Sequence, residues 1–461
     1  MARPTFAPTG HQRQFDHHEL FFSTTDPKGV ILSGNDVFVR VSGYSRETLV
    51  GTAHNIIRHP DIPQAVFKLL WDYLEAGKSF AGYVKNMAAD GGFYWVTVLV
   101  VPIPQGYLSV RFKPSTALLP IVEGVYKQML DVEKAAASAP GGWRKGMADA
   151  AGLLMSVLNA KGFATYDEFM QMLLATEFAS HREMLKRPNG TSGDGVDASL
   201  RAMIQECGSV DEELGRLFAR MGTFLGVIKG LDEKAAFMRE LAANMHLVSL
   251  NALIGSCSEG EGGEAFSVVT QDLATLSKES TATIDVMNRE LLALTSSLRE
   301  TAFGINAAIL QVEMTAFFLH ELARSGDQWE HGEAGHVIRQ DIATLRESFR
   351  TSIDTIIAAV RRASQPIPGL IRMESELSNE LRRLACVRLV GKIHSTGLDG
   401  EAHFHDMLDR ILQQLTRATT ELEELTAGVL GLRDQIPDLM QSATRLQSRT
   451  CGCKTLMHVA A

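Results

Sequence analysis

The sequence predicts an α+β domain, a five-stranded antiparallel sheet with flanking helices, followed by a long all-α region built from helical bundles or hairpins. Three observations predict it. Short β-type runs bounded by turn residues are confined to 20–112. After about residue 116 they stop, and long segments with apolar residues at three-four spacing take over. The breaks between those segments are short clusters of Gly, Pro, Ser and Asn, as expected between helices.

The elements follow in order. Residues 1–14 read as a disordered lead. Leu20-Phe21-Phe22-Ser23-Thr24-Thr25 is a strand ended by the turn signal Asp26-Pro27-Lys28-Gly29, with Lys28 on the surface. Val30-Ile31-Leu32 is the second strand, and Gly34-Asn35-Asp36 opens a short helix with Val37, Phe38 and Val41 on one side. Two strands, Phe80 to Asn86 and Phe93 to Val100, meet around Asp90-Gly91-Gly92, a hairpin signal. Tyr107 to Phe112 closes the sheet. Helices near 143–160 and 166–186 form a connector, bounded by the linkers 136–142 and 187–197. Helix then runs from about 198 to 258, breaks at Glu259-Gly260-Glu261-Gly262-Gly263, and resumes to 324. Such a pair is most simply an antiparallel hairpin. Further breaks at 325–335, 365–369 and 395–400 divide the C-terminal helical region. The domains are thus 1–14, 15–115, 116–197, 198–324 and 325–461.

Composition narrows the function. A chain of 461 residues is too long for one core. A net charge of −9 argues against a nucleic-acid partner, which needs a basic face. The five cysteines, at 207, 257, 386, 451 and 453, do not make a disulfide framework and fit a reducing cytoplasm. No apolar run approaches the ~18–20 residues of a membrane helix, and no signal peptide is evident. Neither Cys451 with Cys453 nor His394 with His403 and His405 has companion ligands at metal-site spacing. Without a nucleotide-binding Gly motif or a catalytic triad, the chain reads as no enzyme.

Four motifs agree in order and spacing: Ser42-Gly43-Tyr44, then His54-Asn55-Ile56-Ile57-Arg58-His59-Pro60-Asp61-Ile62-Pro63, then Val84-Lys85-Asn86, then Tyr94-Trp95-Val96. Over residues 15–115 they resemble the sensory PAS domain of bacterial aerotaxis receptors. That resemblance implies a signal-transduction sensor of redox state or oxygen that holds flavin adenine dinucleotide (FAD) without a covalent bond. It implies a pocket between sheet and helices with a cofactor-binding set of Asn35, Phe38, His54, Asn55, Arg58, His59, Asp61, Phe67, Trp71, Phe80, Asn86 and Tyr94. Arg58 is the cation placed to offset the diphosphate. Phe80 stands where the family commonly has Trp. Taken one at a time, Phe67, Trp71 and Trp95 are ordinary core residues, and His59-Pro60 shapes a loop. A b-type haem is the alternative ligand, through an axial nitrogen of His54 or His59. An empty pocket serving as an interaction scaffold is the other alternative. The absence of any Cys before 207 excludes covalent flavin photochemistry.

Asn244 to Ser280 resembles, without gaps, the hairpin tip of methyl-accepting chemotaxis proteins, through Leu247, Leu250, Asn251, Ala252, Ile254, Gly260, Glu261, Gly263, Phe266, Val268, Val269 and Leu276. The family's charged tip contacts are replaced here by Gly255, Ser258 and Glu264. A chemotaxis kinase and its coupling protein are therefore partners that the resemblance suggests and these replacements weaken. The seam implies a homodimer or a mixed receptor bundle. Glu423 and Glu424 fit the receptors' loose methylation pattern, although a solvated helix face explains them as well.

Overall fold

The computed structural model describes residues 7–136, 142–185, 198–256, 263–325, 333–394 and 401–452. Two compact units divide the chain. The first comprises Met1–Phe218, Ala302–Thr355 and Arg445–Ala461, and the second Ala219–Thr301 and Ile356–Thr444.

In the first unit, strands β1 (Phe21–Thr25), β2 (Ile31–Gly34), β3 (Phe80–Met87), β4 (Phe93–Ile103) and β5 (Gly106–Phe112) form one antiparallel sheet in the order β2-β1-β5-β4-β3. Between β2 and β3 lie α1 (Asp36–Ser42), α2 (Arg46–Leu49), a 3-10 turn at His54–Ile57 and α3 (Gln64–Glu75). This is the predicted fold class. Side chains alternate across a strand, so one face carries Ser23, Val84, Val98 and Arg111, and looks toward α3. The other face carries Phe22, Tyr83, Trp95 and Phe112.

That second face is not solvated. Helices α4 (Leu118–Ala136), α5 (Gly142–Ala160) and α6 (Tyr166–Leu185) follow the sheet, and α8 (Gly263–Ser325) returns to it. Trp95 stacks on Tyr126 of α4, Phe112 packs against His181 of α6, and Phe22 meets Phe318 of α8 edge-on. This explains why β1 and β3 are buried along their whole length rather than alternately. Glu177 of α6 is fully buried and accepts hydrogen bonds from Tyr83 Oη (2.5 Å), from the backbone N–H and hydroxyl of Ser115, and from the N–H and hydroxyl of Thr116. It fastens the end of the sheet to the connector.

Both edge strands have outer backbone groups that are partnered within the chain. On β3, Tyr126 Oη donates to the Tyr83 carbonyl and Tyr166 Oη to the Ala81 carbonyl, each at 3.1 Å. On β2, Ile31 N–H donates to Thr52 O and Ile31 O accepts from Gly51 N–H.

Residues 7–14 depart from the disordered lead expected of them. Arg13 N–H donates to Phe93 O, Phe93 N–H donates to His11 O, and Arg13 ion-pairs with Asp90 at 2.7 Å. Backbone groups beside the β3–β4 turn give this segment partners that composition alone does not reveal.

The remaining helices are α7 (Ala198–Ser256), α9 (Glu333–Ser364), α10 (Ile367–His394) and α11 (Glu401–Gly452). In the second unit, Lys234 of α7 bridges Glu421 and Glu424 of α11, and Arg417 lies 4.3 Å over the Phe237 ring. Leu291 and Leu294 of α8, Leu381 of α10 and Leu425 of α11 are buried in its core. Glu423 and Glu424 are both exposed, and Glu424 has a lysine partner. The expected turn at 259–263 falls largely outside the described residues, as does Cys453; of the side chains of His394, His403, His405 and Cys451 nothing is described. One segment bears on the expectation that no helix spans a membrane. Within α8, Ala274–Ala323 is long and apolar enough to cross a membrane by length and composition, although 72% of its most apolar window is buried inside the protein. A search for unbroken apolar runs missed it because scattered polar residues interrupt the segment.

Candidate functional site

A cavity of about 230 Å³ lies between the inner face of the sheet and α3. Its floor is aliphatic, formed by Val84 of β3 and Val96, Val98 and Val100 of β4. Ile57, Phe67, Leu70, Trp71 and Leu74 close it from above. α3 can serve as this roof because its first turn is pinned: Glu133 of α4 accepts from the N–H groups of Gln64 (3.0 Å) and Ala65 (2.8 Å). A carboxylate there supplies the cap that Pro63 cannot.

Of the residues expected to bind a cofactor, the fold brings His54, Asn55, Arg58, Phe67, Trp71 and Asn86 together on the cavity wall. His54 stacks on Phe38, and its Nε2 lies 3.4 Å from Ser23 Oγ. Burial, with help from the Arg111 charge, holds the His54 pKa down at about 3, so the ring is neutral. The Arg58 guanidinium sits 4.1 Å over the Phe67 ring, and its Nη2 donates to Ile62 O.

The other expected residues line no part of the cavity. Asn35 caps α1: its Oδ1 accepts from Phe38 N–H and Phe22 N–H, and its Nδ2 donates to Leu20 O. Phe38 stands behind His54 as a second layer. Tyr94 stacks on Phe21 with ring centroids 5.6 Å apart, and Phe80 stacks on Tyr166 at 5.6 Å. His59 Nδ1 accepts from Asp61 N–H, and Asp61 pairs with Lys85 at 2.6 Å. These residues shape the loop and the ends of the sheet rather than the cavity. Lys28 proves to be both exposed and part of the cavity rim.

One residue was missed. Arg111 of β5 is 2% exposed, yet it lines the cavity. Its Nη2 donates to Ser23 Oγ, which in turn lies 3.4 Å from His54 Nε2. Its Cζ lies 4.6 Å from the Phe38 ring centroid. Its Nε and Nη1 are buried without a hydrogen-bond partner, and burial lowers its pKa to about 10. A guanidinium held this way, facing an apolar cavity, is a costly arrangement. It suits a planar ligand that offers acceptor atoms at one edge.

The comparisons meet this geometry. A model of the PAS fold matches residues 31–109. The aerotaxis receptor of Escherichia coli is 40% identical over 112 residues, 23% of this chain and 22% of the receptor. This region is a PAS domain, similar in sequence to part of the aerotaxis receptor. Nitrogen fixation regulatory proteins of Klebsiella pneumoniae and Klebsiella oxytoca are 31% and 30% identical over 88 residues, 19% of this chain and 18% of each of them. A solved LOV domain of a blue-light activated histidine kinase from Erythrobacter litoralis aligns over 20% of this chain and 90% of its own, at 18% identity and a TM-score of 0.19. The chain thus covers 22% or less of the length of the curated relatives it matches. The PAS model ends at residue 109 and does not bear on the receptor-like hairpin expected at 198–324.

Proposed function

We propose that the protein is a cytoplasmic redox or oxygen sensor whose PAS domain holds FAD and whose helices carry the state of the pocket onward. The observation that carries this reading is Arg111, a buried guanidinium with two unpartnered donors at the wall of an otherwise aliphatic cavity. The site fits the isoalloxazine group on the chemistry of its donors. Val84, Val96 and Val98 supply a flat apolar wall, while Arg111, Asn86 and His54 supply a few polar groups at its margin. When bound, the flavin would contribute reversible electron uptake.

The chain's own residues have separate tasks. Arg111 orients the ligand and favours electron density near it. Ser23 links Arg111 to His54 through its hydroxyl. Trp71 and Phe67 keep water from the ring. Glu133 links the roof helix α3 to α4, so a shift of the roof is felt directly in the connector. The relatives named above are a receptor and regulators, which supports sensing rather than turnover.

Purified full-length protein is expected to be yellow and to release FAD on denaturation, and Asn86→Ala to lower the occupancy. Colourless protein that takes up no added FAD, or a Soret band in place of flavin absorbance, refutes the reading.

A further inference from the structure

The flavin reading leaves the phosphates without a partner. The cavity, at about 230 Å³, is smaller than the ~300–1,000 Å³ of pockets that enclose drug-sized ligands. A flavin nucleotide seated there must therefore run its ribityl phosphate out through the opening. The exposed residues on the cavity wall mark that opening: Lys28, Ala53 and Asn55. Arg58, the cation expected for the diphosphate, is turned to the Phe67 ring and the Ile62 carbonyl. Arg111 lies at the buried end, remote from solvent.

Lys28 is presented on a fixed lip. Asp26 Oδ1 accepts from the N–H groups of Lys28 and Val30, each at 2.8 Å, and Gly29 N–H donates to Asp26 O. Gly29 O accepts from His54 N–H at 2.8 Å, which ties the lip to the 3-10 turn. Gly29 adopts φ +77°, and a Cβ there would lie 3.0 Å from the Trp71 indole, so the turn is pressed against the roof. The Asp26 carboxylate is engaged by the backbone. Among the described residues no carboxylate forms an ion pair with the Lys28 ammonium.

We infer that Lys28 is the phosphate-binding residue of this pocket, and that the pocket selects flavin nucleotides over unphosphorylated flavin. The inference rests on the flavin reading above. A compact ammonium on a flexible stem, at a rim open to solvent, suits a phosphate as a point charge rather than as a bidentate partner.

The test is titration of flavin-free, full-length protein with riboflavin, FMN and FAD, in wild type, Lys28→Ala and Lys28→Arg, at low and high salt. Lys28→Ala is expected to weaken FMN and FAD about three- to tenfold and to leave riboflavin unchanged, in keeping with a solvent-exposed ion pair. Lys28→Arg is expected to retain nucleotide binding, and the salt dependence seen in wild type is expected to shrink in Lys28→Ala. Equal effects on riboflavin and the nucleotides, or no effect on FMN and FAD, overturn the inference while leaving the flavin site standing. Failure of wild type to take up any of the three overturns both.

Discussion

Replacing Arg111 with Met separates what the pocket needs for stability from what it needs for a ligand. Burial lowers the Arg111 pKa from 12.5 to about 10. At about 1.4 kcal/mol per pKa unit, holding the charge in the folded state costs about 3 kcal/mol at neutral pH. Two contacts offset part of this: the hydrogen bond to Ser23, at about 1.5 kcal/mol for a charged donor, and the Phe38 ring, at about 1 kcal/mol. Met roughly fills the volume of the removed stem and brings no charge. Flavin-free Arg111→Met is therefore expected to match wild type or to gain up to about 1 kcal/mol, where truncation of an ordinary core residue costs about 2–5 kcal/mol. The same change is expected to weaken FAD by about 2 kcal/mol or more, roughly thirtyfold, because the ligand loses a charged donor. Urea unfolding followed by tryptophan fluorescence, to which Trp71 and Trp95 contribute from the first unit, measures the first quantity, and FAD titration the second. A flavin-free Arg111→Met variant less stable than wild type by more than about 2 kcal/mol would refute the reasoning, since it would make Arg111 a structural residue already satisfied by its neighbours.

Two further outcomes are expected from the first unit. Glu177→Ala leaves Ser115 N–H, Thr116 N–H and Tyr83 Oη without their shared acceptor, and is expected to cost about 3–5 kcal/mol in urea unfolding, with Glu177→Gln costing less. Glu313 on α8, 3.8 Å from buried His181, has its pKa raised from 4.5 to about 8, by burial first and then by the Asp211 charge. The folded state thus keeps a proton that the unfolded chain releases. The contribution of Glu313 to stability is expected to fall as pH rises from about 4.5 to 8, whereas that of buried His181, lowered to about 4, rises up to about 6.5, so the Glu313 component is read as the pH-dependent difference in melts between wild type and Glu313→Gln.

Much of the fold was legible because strand alternation and turn residues are local signals. Thr25 before Asp26-Pro27 and the Asp90-Gly91-Gly92 hairpin needed no tertiary information. The site was legible only as a neighbourhood. A motif states which residues lie near one another; the strand register and the helix docking decide where each side chain points. Tyr94 and Phe80 belong to the right face but stand at its ends, against Phe21 and Tyr166. Asp61 pairs with Lys85, and His59 packs on Phe93 and accepts from Asp61 N–H. Arg111 escaped because a charge in Ser109-Val110-Arg111-Phe112 reads as a solvent-facing position, whereas the register with β1 sets it inward beside Ser23. An inward-facing arginine between aromatic and aliphatic neighbours was the available signal. The docking of Glu177 and Phe318 on the outer face was beyond reach, since nothing in those helices names the strand they cover.

The tyrosine hydroxyls on β3 and the 51–52 segment along β2 constrain how copies of this chain can assemble. A sheet edge with free carbonyls and amides invites another strand, from a partner, a second copy or a misfolded neighbour. Here the Ala81 and Tyr83 carbonyls on one margin and both backbone groups of Ile31 on the other already have partners within the chain. At those positions the edge offers no free group to an incoming strand. A second strand arriving at either margin would first have to displace these contacts.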